Sequence, residues 1–256
     1  MSRGLMVRQL NVTRGNKPIV QDVTLNLQPG LLVSCIGPNG AGKSTLLGAL
    51  AGSFAASGKI TWNGAPLTQA MIGHMPQQCR VDADLTALQV LLLGRHETLG
   101  VRIKDSDLSI AGDMLHNLGI MPLANRPMSS LSGGQQQLIL LGQRLIRQPK
   151  LLLLDEATSA LDMAHQMRVM QLIQAYVQAS GALAIMAIHD LNLAARYSDE
   201  ILLMHAGRLD AKGPFASAIT SERLERVYGM KAILLPDIAG APVIVPLHPT
   251  LSIAQG

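Results

Sequence analysis

Aromatic side chains are nearly absent from this 256-residue chain, with one Trp, three Tyr and two Phe making up 2% of it. Proteins that bind single-stranded nucleic acid stack bases on aromatic platforms, so this scarcity argues against that function class. Charge is scarce too: charged residues make up 15%, the formal net charge is +4, and no Lys/Arg block forms a nucleic-acid arm. The two cysteines, Cys35 and Cys79, lie far apart without metal-ligand spacing, which fits a reducing compartment. No apolar run approaches the roughly 18 residues needed to cross a bilayer, and Met1 to Leu5 lack the apolar stretch of a secretory signal. These absences predict a cytoplasmic protein with no nucleic-acid partner, one that reaches any membrane through another protein.

Hydrophobic residues are plentiful at 48%, enough for a substantial core and against disorder. Short alternating stretches from Leu5 to Leu27, broken by Gly15-Asn16-Lys17-Pro18, predict an antiparallel hairpin. Further strands are expected at Leu31–Ile36, Gly58–Gly64 and Met71–Met75. Residues 86–126 change to helical spacing, notably Leu88 to Leu93 and Ile110 to Leu118, and read as a helical insertion. Helices at 135–146, 164–179 and 191–197 then alternate with strands at 151–154, 183–188 and 200–204, which implies a parallel sheet with crossover helices. Met163, Met167 and Met170 share one helical face and read as core, as do most of Leu88, Val90, Leu91 and Leu92.

One stretch declares chemistry. Gly37-Pro38-Asn39-Gly40-Ala41-Gly42-Lys43-Ser44-Thr45 has the spacing of a phosphate-binding loop and sits between a predicted strand and a predicted helix, as that motif requires. Gly40 and Gly42 allow successive N–H groups to turn toward an anion at the helix start. Lys43 then reaches the terminal phosphates, and the Ser44 hydroxyl is placed to ligate magnesium. This loop alone leaves kinases, GTPases, helicases and transport ATPases open. The run Leu151 to Leu154 followed by Asp155-Glu156 narrows the field: a buried strand ending in two carboxylates offers Asp155 to hold magnesium and Glu156 to orient water.

Leu131-Ser132-Gly133-Gly134-Gln135 opens a further helix and so makes a second anion-binding element. With twenty residues from Gln135 to Asp155, it resembles the signature of the ATP-binding-cassette (ABC) ATPases. That resemblance covers nearly the whole chain. It implies an α/β P-loop ATPase core with a mixed, largely parallel sheet, an N-terminal antiparallel β subdomain and a helical insertion. One domain, 1–256, would divide into a core of 1–78 plus 147–256 and a helical subdomain of 79–146 carrying the signature. It also implies that two copies pair head to tail, the signature of one covering the ATP and Mg2+ on the phosphate loop of the other.

Other positions match the family residue by residue. Gln77 is similar to the glutamine that senses magnesium and water, Ser159-Ala160-Leu161-Asp162 to the loop through which subunits communicate, and His189 to the switch histidine at the terminal phosphate. The remaining six histidines read as structural. Family members carry an aromatic residue that stacks on adenine where this chain has Thr13-Arg14-Gly15, and the planar guanidinium of Arg14 is the candidate substitute.

The flanks resemble ATPases that drive uptake of iron-siderophores, haem and cobalamin: Leu93-Gly94-Arg95-His96, without the expected proline; Gly207-Arg208; Gly213-Pro214; Thr220 to Leu224 with Val227-Tyr228-Gly229; and Gly240 to Pro246. This implies a polytopic permease whose cytoplasmic helix enters a groove beside Gln77 and residues 79–126, an extracytoplasmic binding protein, and a peripheral place on the cytoplasmic face of the membrane. Another transporter class, or a soluble cassette acting on ribosomes or nucleic acid, stays open.

Overall fold

The computed structural model describes residues 4–77, 84–95, 103–238 and 240–250. Strands β1 (Leu5–Arg14) and β2 (Lys17–Leu27) form the expected hairpin around Gly15 and Asn16. Their alternation slips between Val7 and Leu10, where the register shifts and Gln9 takes φ 49°, so a bulge keeps Leu10 and Val12 on the buried side. After β3 (Leu32–Ile36) come helix α1 (Lys43–Leu50), β4 (Ser57–Trp62), the two-residue β5 (Ala65–Pro66) and β6 (Ile72–Met75). Between β6 and β7 (Leu151–Asp155) lie α2 (Ala87–Leu93), α3 (Asp105–Asn117) and α4 (Gly133–Leu145). Then follow α5 (Met163–Ser180), β8 (Leu183–Ala187), α6 (Leu191–Tyr197), β9 (Glu200–His205) and β10 (Arg208–Gly213). The C-terminal part adds α7 (Phe215–Ala218), α8 (Ser221–Tyr228), β11 (Met230–Pro236) and β12 (Pro242–Pro249).

A four-stranded antiparallel sheet has the order β2-β1-β4-β5, and a six-stranded sheet the order β10-β9-β3-β8-β7-β6. Within the larger sheet every pairing is parallel except that of β10 with β9. Both faces of its central strands are covered. Val33, Cys35, Leu151, Leu153, Leu183 and Ile185 pack toward α1 and the antiparallel sheet, while Leu152, Leu154, Ala184 and Met186 pack toward α2–α5. That explains four consecutive leucines in β7: a strand covered on both sides alternates between two cores, and both sides are apolar. The helices between β6 and β7 share this second cluster with the sheet, so they are anchored to it rather than built around a core of their own.

Several expectations need correction. Helix α4 begins two residues before the expected Gln135, because Ser132 caps it. Met163 is 75% exposed, since it is the first residue after the cap of α5 and precedes the turn that faces the core; Met170 is buried and Met167 partly so. The sequence reading named no element after 204, yet β10, α7, α8 and the β11–β12 ribbon enclose a third cluster with Ile36, Ile201 and Leu203. Cys79, His96 and Glu97 lie outside the described residues. No helix among the described residues is long and apolar enough to cross a membrane.

Candidate active site

Strand β3 delivers the chain into the phosphate loop, and α1 leaves it. Gly40 and Gly42 sit at φ 78° and 99°, the left-handed region that other residues enter at a cost, and Gly42 is the residue before the helix. Leu46 N–H donates to Gly42 O at 2.8 Å, so the first turn is closed and the preceding N–H groups remain at the helix start. Residues 39–45, with Ile19, Gln77, Glu156 and His189, line a cavity of about 620 Å³. Lys43 is 6% exposed and donates to the carbonyls of Gly37 at 2.7 Å and Pro38 at 3.1 Å, so the ammonium is folded over its own loop. Burial pushes its pKa down, opposed by the charges of Glu156 and Asp155 and by Cys35.

The end of β7 meets this loop. Ser44 Oγ donates to Asp155 Oδ1 at 3.0 Å. Burial raises the Asp155 carboxyl above the usual carboxylate range; the Ser44 hydrogen bond opposes that, and the neighbouring Glu156 adds to it. Glu156 has φ 52°, an uncommon conformation for a side-chain-bearing residue that costs on the order of 1 kcal/mol or more. The twist turns its carboxylate away from the strand direction and into a clamp. Gln77 Nε2 donates to Oε2 at 2.8 Å, and His189 Nε2 stands 2.6 Å from Oε1. His189 is fixed in turn between the end of β8 and Asp190, whose Oδ1 accepts from Asn192 N and Leu193 N and caps α6.

Ser44 and Asp155 are in hydrogen-bond contact, and Ser44 and Gln77 line the same cavity; their oxygen atoms have the ligand chemistry of a hard divalent cation. Among the described residues no group of three or more His, Cys, Asp or Glu could hold a metal. A magnesium ion here would therefore take most of its ligands from phosphate and water, as that ion commonly does.

The signature stretch lies in a different cavity. Ser132 caps α4: its Oγ accepts from Gln135 N at 3.3 Å, and Gln135 Oε1 accepts from Ser132 N at 3.1 Å. Ser132, Gly134 and Gln135 line a cavity of about 350 Å³ with Asp162, His165, Gly119, Ile120, Pro122 and Leu123. The two cavities have no lining residue in common, so the phosphate loop and the signature open into separate spaces of the chain.

Arg14 is the outlier among the expected residues. It is exposed at the hairpin end, does not line the phosphate-loop cavity, and its guanidinium lies 4.1 Å from the centroid of the Phe54 ring. Phe54 in turn packs on Gly48 of α1, where an added Cβ would come within 2.3 Å of the ring. Sequence reasoning missed Ile19, whose apolar side chain carries no chemical signal, and His165, which was read as structural. The three-residue spacing from Asp162 to His165 is a helix-cap spacing and was the available clue.

Comparison with known proteins agrees with this geometry. The model of the ABC transporter family matches residues 20–159, which hold the phosphate loop, Gln77, the signature and the Asp155-Glu156 pair. A hemin import ATP-binding protein of Rhodococcus jostii is 34% identical over 92% of this chain and 83% of its own length. Its counterpart in Vibrio cholerae is 35% identical over 89% and 92%, and a cobalamin import ATP-binding protein of Halobacterium salinarum is 33% identical over 98% and 65%. Among solved structures, a chain from a transporter described as of metal-chelate type, in an inward-facing conformation, superposes with a TM-score of 0.82 at 29% identity, covering 96% of this chain and 98% of that one. A dimeric cassette bound to ADP and phosphate after hydrolysis gives 0.74 at 25% identity, over 82% and 98%. The sequence, the two cavities and these likenesses converge: the chain belongs to the ABC transporter family and is an ATP-hydrolysing cassette.

Proposed function

We propose that this chain is the ATPase subunit of an importer for metal chelates of the ferric siderophore, haem or cobalamin class. The observation that carries the site assignment is the Glu156 carboxylate held between Gln77 and His189 on the rim of the phosphate-loop cavity. The loop from Gly37 through Asn39, Gly40 and Gly42 to Thr45 cradles the triphosphate with its N–H groups. Lys43 leaves the Gly37 and Pro38 carbonyls to meet the terminal phosphates. Ser44, Asp155 and Gln77 would hold magnesium, which would offset charge on the transferred phosphoryl group. Glu156 orients and deprotonates the attacking water, and His189 fixes both the carboxylate and the terminal phosphate. Arg14 offers a planar face to the base.

Ser132, Gly133, Gly134 and Gln135 act on the nucleotide of a second copy packed head to tail, with Asp162 in the loop between the two half-sites. The separate signature cavity supports that arrangement. The helices of 79–146 pass closure of this pair to a polytopic permease at the cytoplasmic face of the membrane, and an extracytoplasmic binding protein delivers the chelate. The haem and cobalamin import names of the relatives, and the resemblance of the flanks, support the cargo class. The test is to reconstitute the chain with the permease encoded beside it and measure ATP-dependent uptake of a ferric siderophore, haem and cobalamin. Uptake of one of them is expected. Failure with all three, with hydrolysis intact, overturns the cargo and leaves the ATPase.

A further inference from the structure

Seven residues, 156–162, join the two cavities: Glu156 lines the first and Asp162 the second. The segment is held to itself. Ser159 N and Oγ both donate to Glu156 O, at 3.1 and 3.0 Å, and Leu161 N donates to Thr158 O at 3.1 Å. It also touches the signature helix, because a Cβ on Gly134 would stand 2.8 Å from Ala160 O and 3.1 Å from Leu161 Cδ2. At that spacing a shift of the segment toward α4 must move the helix start, and with it Ser132.

The far end of the segment depends on His165. Its N–H donates to Asp162 Oδ1 at 2.9 Å, and its ring Nδ1 lies 2.9 Å from both carboxylate oxygens. Any residue at 165 makes the first bond, which is the ordinary helix cap. The ring makes the second. An ionised carboxylate only accepts, so Nδ1 carries the proton and the ring's tautomer is fixed. The Asp162 side chain is 68% exposed, so with the cap bond alone it would be free to turn toward solvent; two further contacts to the ring hold it.

We propose that His165 is a positioning residue for ATP hydrolysis: through its ring bond to Asp162 it holds segment 156–162 at the setting in which Ser132 and Gly134 face a second copy's nucleotide while Glu156 faces its own. This rests on the two-half-site reading above and adds to it a residue outside the motifs.

The test uses the full chain assembled with its permease, as His165→Ala, His165→Asn, Asp162→Ala and the Asp162→Ala/His165→Ala double variant. Hydrolysis is followed against ATP concentration, and binding of a fluorescent ATP analogue is measured on the chain alone. His165→Ala should lower kcat about tenfold, the effect of one charge-assisted hydrogen bond on a barrier, with KM and analogue affinity within about twofold of the parent. His165→Asn, whose amide N–H can stand where Nδ1–H stood, should recover most of that loss. The double variant should be no slower than Asp162→Ala. Parental kcat in His165→Ala, no recovery in His165→Asn, or losses that multiply in the double variant would each overturn the clamp. The two readings fail separately, because a Glu156→Gln chain that stays monomeric in magnesium ATP would overturn the two-half-site reading itself, whatever the His165 variants do.

Discussion

At the scale of single residues, burial of charge at the phosphate loop has measurable consequences. Burial disfavours the charged forms of both Lys43 and Asp155. For Asp155 the folded pKa lies above the unfolded one, so ionisation opposes folding, and the group's contribution to stability falls as pH rises from the usual carboxylate range through the raised value. Asp155→Asn removes that charge and keeps an acceptor for Ser44. In thermal melts at pH 7 without nucleotide it should raise Tm by about 2–4 °C, the shift that about 1 kcal/mol gives in a chain of this size, while abolishing magnesium-dependent hydrolysis. The gain should vanish in acid, where Asp155 is protonated. Glu156→Gln keeps the clamp geometry but cannot accept a proton: binding of an ATP analogue should be retained while steady-state hydrolysis falls at least about 100-fold. Arg14 rests on Phe54, one of only two Phe in the chain. If its other face carries the base, Arg14→Ala and Phe54→Leu should each raise KM for ATP about two- to fivefold with kcat unchanged, since a cation–π contact is worth about 0.5–1 kcal/mol. Unaltered KM in both would remove Arg14 from the base site.

At the scale of elements, the decisive piece is the start of α4. Ser132→Ala breaks the reciprocal cap with Gln135 and should cost about 1 kcal/mol by urea unfolding, while ATP binding to the chain's own loop stays intact because that loop lies in the other cavity. Weakened ATP binding in this variant would show that the signature contributes to its own chain's site. The elements that carry chemistry were the legible ones. Strand β7 is a continuous apolar run ending in Asp155-Glu156, and β3, broken only by Ser34, runs into Gly37; a doubly covered strand leaves a largely apolar trace of this kind. The β11–β12 ribbon was not legible: prolines at 236, 242, 246 and 249 interrupt its pattern, and residues such as Leu235 and Leu247 remain exposed, so no alternation emerges. The Met163 misreading has the same origin, because periodicity locates a helical face but not the turn at which that face starts to be covered. The Asp162–His165 contact is local, three residues apart at the start of α5; what the sequence does not carry is that this pair lines the same cavity as the signature.

At the scale of the whole molecule, the phosphate loop and the signature open into separate cavities, and on the proposed half-site reading the chain is expected to work as a pair. Glu156→Gln, expected to retain ATP without hydrolysing it, should sediment as a dimer in magnesium ATP and as a monomer in ADP; a monomer under both conditions would separate the signature from hydrolysis. The molecule also carries a link between its sheets. In the turn between β9 and β10, Gly207 N donates to Ala41 O of the phosphate loop at 3.1 Å, and Gly207 O accepts from Gln21 N of β2 at 2.8 Å. A phosphate that rigidifies the loop therefore suppresses opening of two amides outside the cavity, one of them in the antiparallel sheet. In hydrogen–deuterium exchange, peptides containing Gln21 and Gly207 should slow on nucleotide binding, which makes the antiparallel sheet a reporter of occupancy, although among its residues only Ile19 lines the nucleotide cavity.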